Sequence, residues 1–151
     1  MKIDVTHEYL SERFANTKKI FEEREAQGIF IGTVPEYENC DPENGILYFS
    51  YEVKPKDVNV LGGMHGGNIF ELADNAMGMS SSAINHAFGR YATQNFQVHF
   101  IKGIHGGDKL KVQVKFVKVS PRNTIAEVEI SRDGEICVAC MGTFALINGH
   151  L

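Results

Sequence analysis

The chain has 151 residues, 43% of them hydrophobic and 23% charged, enough for one compact domain that buries about two thirds of its unfolded surface. Its formal charge of −4 comes from interspersed acids and bases, which excludes the basic footprint of a nucleic-acid binder. No apolar run reaches the length of a membrane span, residues 1–20 lack the sections of a signal peptide, and Cys40, Cys137 and Cys140 are too sparse for a disulfide framework. A cytoplasmic setting with reduced thiols is expected.

Val5 and Thr6 mark a helix entry, and the run HEYLSERFANTKKIFEEREA sets Tyr9, Phe14, Ile20 and Phe21 among many charges. The expectation is an amphipathic helix within residues 1–27, followed by a core over residues 28–151 of the same domain. Residues 29–34 and 46–53 are rich in β-branched and aromatic side chains and are separated by a polar stretch around Asp41 to Gly45, which predicts two strands. Glycines then cluster in NVLGGMHGG, and from Asn68 to about Phe88 the residues Ile69, Leu72, Ala73, Ala76, Ala83 and Ile84 recur on one helical face.

No Lys or Arg stands between Lys56 and Arg90, and the segment ADNAMGMSSSA is filled with small side chains. A helix of that kind is expected to be closely embraced by a sheet. The remainder is wholly β, with strands over residues 91–101, 109–119, 124–131 and 135–147 and a hairpin signal at Asp133-Gly134. One helix held by a long antiparallel sheet gives an α+β fold class.

A glycine-rich turn that feeds a helix presents unpaired N–H groups and the positive end of the helix dipole, so His65-Gly66-Gly67 suits a developing oxyanion. The plainer reading is a tight turn in which His65 caps or packs. Asp74 lies two helical turns further on, at the edge of the apolar arc beside Phe70, Met77 and Ser81. Partial burial raises the pKa of such a carboxylate yet leaves it ionised near neutrality, which suits a general base or nucleophile. An ordinary aspartate at a polar boundary has the same pattern.

Asn59, Gly62, His65-Gly66-Gly67 and Asp74 within LADNA resemble the phenylacetate-degradation, PaaI-like branch of the hotdog-fold thioesterases. The similarity extends over about the last hundred residues, through Phe100, the Gly107-Asp108 turn and Gly142-Thr143-Phe144. The resemblance implies a hotdog fold and an acyl-CoA thioesterase, with CoA entering as part of the substrate and no metal or redox cofactor. It implies that Gly66 supplies the oxyanion N–H, that His65 fixes the turn and lines the acyl entrance, and that Asp74 activates water or attacks the carbonyl. Asn59 would position the nucleophile or the turn. It further implies a homodimer or homotetramer with sites between subunits, Asp74 facing the partner strand that starts near Tyr91.

A hydroxyl on that strand would help to place the water, and Thr93 is the nearest one. Strict alternation instead sets Ala92, Gln94, Phe96, Val98 and Phe100 toward the helix, leaving Thr93 and Gln94 both open as site residues. Gly67 and Met77 are further substrate-contact candidates, Met77 with Met64, Met79 and Met141 as a flexible acyl lining. Arg122, with Lys118 near the turn at Pro121, is placed to meet CoA phosphates.

Other signals are set aside. Cys137 and Cys140 have CxxC spacing but lack a second pair for zinc, and His105-Gly106-Gly107 lies between two strands and reads as a turn. Gly62 to Gly67 lacks the Lys and Ser/Thr of a nucleotide loop. Two alternatives to hydrolysis remain: a non-catalytic acyl-CoA sensor, and an enoyl or hydroxyacyl hydratase with His65 as base.

Overall fold

A computed structural model describes residues 1–85 and 90–147. Helix α1 (His7–Ala26) starts at the expected entry, where the Thr6 hydroxyl accepts from the Tyr9 N–H at 3.2 Å. Strands β1 (Glu36–Asp41) and β2 (Ile46–Glu52) precede helix α2 (Gly66–Ile84). Strands β3 (Arg90–Phe100), β4 (Lys109–Val119), β5 (Asn123–Arg132) and β6 (Glu135–Ile147) complete a six-stranded antiparallel sheet of order β1-β2-β4-β5-β6-β3. This is the α+β arrangement the patterning predicts.

Helix α2 lies against β3, β4, β5 and β6. Its predicted apolar face, Ile69, Leu72, Ala73, Ala76, Ala83 and Ile84, is buried, and so are Met77, Ser80 and Ser81. Buried hydroxyls need partners. Ser80 donates to the Ala76 carbonyl at 2.7 Å, and Ser81 shares a 2.7 Å hydrogen bond with Thr124 of β5. Small residues set the separation: a side chain at Gly142 would enter the Phe96 ring and the Met77 sulfur, and one at Gly78 would meet Phe144 at 2.9 Å. Asp133 and Gly134, at φ 51 and 78, turn the β5–β6 hairpin as their dipeptide predicts.

Three boundaries differ from the sequence reading. Residues 29–34 form no strand, because the Thr33 N–H and carbonyl bond the Glu71 carboxylate and the Asn75 amide of α2, both at 2.8 Å, in place of a neighbouring strand. Gly32 at φ 81 breaks the extended run. The first strand is instead the polar edge segment Glu36–Asp41, whose Tyr37 packs on Phe14 and Phe49. The amphipathic reading of α1 holds for its first half only: Leu10 and Phe14 are buried, whereas Ile20 is 54% exposed. Helix α2 starts two residues before Asn68, and its expected end at Phe88 lies outside the described residues.

Candidate active site

The loop before α2 is built from short backbone bonds that deliver Gly66 to the helix start. Asn59 closes its base: its amide oxygen accepts from the Leu61 N–H at 2.9 Å and the Gly63 N–H at 3.3 Å, while its own N–H donates to the Gly63 carbonyl at 2.8 Å. Gly62, at φ 82, supplies the left-handed residue this turn requires. Met64 N–H then pairs with the Ile104 carbonyl at 2.7 Å and His65 N–H with the Asp57 carbonyl at 2.8 Å. Asn59 therefore shapes the turn.

His65 occupies the position before the helix with its side chain exposed and no capping hydrogen bond. Among the described residues no group accepts from the N–H of Gly66 or Gly67, the first two residues of α2. These are the open donors of a helix N-terminus, reinforced by its dipole. The Phe100 ring lies 3.5 Å from where a Gly66 side chain would start, and Gly67 faces open space. The turn can thus hold a negatively charged oxygen close to the backbone.

Asp74 is half-buried on α2, and its Oδ1 accepts from the Thr93 hydroxyl at 2.6 Å. The partner strand that the resemblance assigns to Asp74 is here the chain's own β3. A bulge decides between Thr93 and Gln94. Pairing with β6 runs Thr93 to Phe144 and then Asn95 to Thr143, so Gln94 is an additional residue and the alternation resets across it. Thr93 and Phe96 consequently share the helix-facing side, as Phe96 packing against Phe70 at 5.1 Å and Phe144 at 6.4 Å confirms. Strict alternation missed this, and no dipeptide at 93–95 announces it.

Burial pushes the Asp74 carboxyl above its ordinary value; the Thr93 hydrogen bond opposes this, and the negative Glu71 adds to it. Glu71 stands one turn back and holds the Thr33 N–H, a clasp the sequence reading did not find. Two further aspartates anchor the loops behind the turn, Asp57, which the sequence reading passed over, and Asp108 of the expected Gly107-Asp108 turn. Asp57 is fully buried, and Asp108 accepts from Arg132 at 2.7 Å and from the His105 N–H at 2.8 Å. His105-Gly106-Gly107 is a turn, with Gly107 at φ 83, and it backs the site loop through a bridge to Gly63.

Met77 is not a surface contact: it is fully buried, with its sulfur beside Gly142 of β6. Gln94 is exposed next to Thr93. Arg122 is exposed in the β4–β5 turn, whose Pro121 carbonyl accepts from the Tyr91 hydroxyl at 3.3 Å, toward the start of β3. Cys137 and Cys140 are free and buried, and burial pushes the Cys140 thiol up to about 12, which leaves it unreactive. A cavity of about 470 Å³ lies between α1 and residues 31–38 and is lined by neither Gly66 nor Asp74.

The family model described as the thioesterase superfamily matches residues 61–139, the span that holds this turn, helix and strand. The chain belongs to the thioesterase superfamily. Its hotdog fold is shared with solved structures of low sequence identity. The Escherichia coli PaaI protein from the phenylacetic acid degradation operon is 18% identical with a TM-score of 0.69, over 93% of this chain and 97% of that one. A Streptococcus mutans protein bound to acetyl CoA is 19% identical at a TM-score of 0.69, over 82% and 96%. A hypothetical thioesterase of Streptococcus pneumoniae with coenzyme A is 18% identical at 0.67, over 80% and 96%. No curated protein matches this superfamily member in sequence. No helix among its described residues is long and apolar enough to cross a membrane.

Proposed function

We propose that this chain hydrolyses an acyl-CoA thioester to the free acid and CoA in the cytoplasm. The observation that carries the reading is a half-buried Asp74 held by Thr93 on the same helix whose first N–H groups are open. In the base route, Asp74 takes a proton from water, the hydroxide adds to the carbonyl carbon, and the Gly66 N–H holds the oxygen as it becomes negative. The C–S bond then breaks, and the thiolate leaves with the proton that Asp74 returns. In the nucleophile route, the Asp74 carboxylate attacks the carbonyl carbon, the C–S bond breaks as the CoA thiolate leaves, and water cleaves the resulting mixed anhydride to the free acid and regenerated Asp74, its second proton going to the thiolate. A thioester is already activated, so neither route calls on a metal or redox cofactor.

Gly66 and Asp74 are separated along α2 by about 12 Å of helix rise. Direct attack on a carbonyl held by Gly66 needs a carboxylate much nearer than that. We assign the two to one site through a second copy: Asp74 and Thr93 from one subunit, Gly66 from the other. Strand β3 is a sheet edge, and Phe100 and Ile101 at its end and Val60 and Leu61 in the site loop are all more than half exposed, as a surface awaiting a second copy would be. His65 would line the acyl entrance, Gly67 and Gln94 would meet the substrate, and Arg122 would meet CoA phosphates.

The test is thiol release from short, medium, long and arylacetyl CoA esters. Turnover of any one supports hydrolysis and ranks the acyl groups. Binding without turnover across the panel would make the protein an acyl-CoA sensor, and water addition to an enoyl-CoA with the thioester intact would make it a hydratase.

Thr93→Val tests the Asp74 assignment through pH. The base must be ionised, so activity falls as pH drops through the Asp74 pKa. Thr93 lowers that pKa, and its removal is expected to move the acid limb of the kcat profile to higher pH, with about a tenfold loss at the optimum. An unmoved acid limb would remove Asp74 as the titrating base.

A further inference from the structure

Asp57 plays no part in the bond changes, yet it is fully buried and joins four parts of the chain. Its Oδ2 accepts from the Tyr51 hydroxyl of β2 at 2.6 Å and from the Lys54 N–H at 2.9 Å. Its Oδ1 accepts from the side-chain amide of Asn68, the third residue of α2, at 3.3 Å. Its backbone carbonyl accepts from the His65 N–H at 2.8 Å. Tyr51 is held well above the ordinary phenol value, by burial first and by its bond to Asp57 second, so it remains a donor.

The Gly66 peptide is thereby bracketed. His65 on one side and Asn68 on the other are bonded to the same residue, and Asp57 is in turn fixed to the sheet through Tyr51. Buried polar groups need partners, and those of Asp57 come from all of these segments at once, so the network is one unit. An N–H donor contributes to an oxyanion site only while its direction is held before the charge develops.

We propose that Asp57 is a positioning residue for the Gly66 oxyanion donor, acting through His65 and Asn68. The proposal rests on the hydrolase reading above. It predicts a loss in kcat that works through one N–H, and a double-mutant comparison in the full chain separates this from general loosening. Asn68→Ala and Tyr51→Phe, each deleting one bond to Asp57, are expected to lower kcat about 5- to 20-fold, with KM for the best ester within about twofold. Asp57→Asn should lose less than Asp57→Ala.

The deciding measurement repeats Asn68→Ala in a Gly66→Pro background, where the donor is already gone. If Asn68 and Asp57 act through that donor, the second change costs little more. Losses that multiply, or single variants that lower melting temperature while kcat stands, would overturn the positioning role. A wild type inactive on every ester would overturn the hydrolase reading itself.

Discussion

Asp74→Asn is expected to lower kcat by about 10²- to 10⁴-fold, the range a positioned proton-transfer group supplies. Asparagine keeps the size of the side chain and an oxygen that can accept from Thr93, so the loss isolates the charge. Calorimetric binding of the preferred ester should change little, because the carboxylate works on the reaction and not on the CoA moiety. Stability should move the opposite way from activity. The folded-state pKa of Asp74 is raised, so ionisation opposes folding: the penalty is absent below the unfolded pKa and complete above the raised one. The neutral amide of the variant escapes it, and the variant should melt no lower than wild type at neutral pH. Turnover within about threefold of wild type would remove Asp74 from the chemistry.

Gly66→Pro is expected to lower kcat by about 10²- to 10³-fold through the loss of a single hydrogen-bond donor. Proline removes that N–H with little backbone cost here. Gly66 is the first residue of α2, where proline is well tolerated, and His65 before it has φ −56 and ψ 132, a conformation that accepts a following proline. A side chain at this position meets Phe100 at ordinary contact distance. Gly66→Ala keeps the donor and should retain most activity. Helical content and melting temperature of both variants provide the structural control.

Together these variants test the two-copy site. If the site is built from two copies, each variant homodimer would be nearly inactive, whereas a mixed dimer would pair the intact Gly66 of the Asp74→Asn chain with the intact Asp74 of the Gly66→Pro chain. Co-refolding at equal amounts should restore about a quarter of wild-type activity, as random two-fold pairing predicts. Recovery of none would mean that each chain builds its own site.

Much of this was legible in the sequence wherever a residue declares its own backbone. Thr6 announced α1, the period of Ile69 to Ile84 announced the buried face of α2, and Asp133-Gly134 announced the last hairpin. The helix-terminal donors at Gly66 followed from the glycine run alone. What stayed hidden depends on partners distant in the chain. Thr33 gives both backbone groups to side chains about forty residues away, so a β-rich hexapeptide ends as a clasped strap. Asp57 looks like any loop aspartate until Tyr51 and Asn68 close around it. Met77 carried an apolar signal that could not separate a substrate wall from the core.

The additional residue at Gln94 has a consequence for how this family can vary. Whether a hydroxyl or an amide meets the carboxylate is decided by the bulge: were β3 to pair without it, alternation back from Phe96 would bring Gln94 to the helix side in place of Thr93, with neither side chain altered. Between a strand with the bulge and one without it, a position-by-position match of residue types across this segment would compare groups that point in opposite directions.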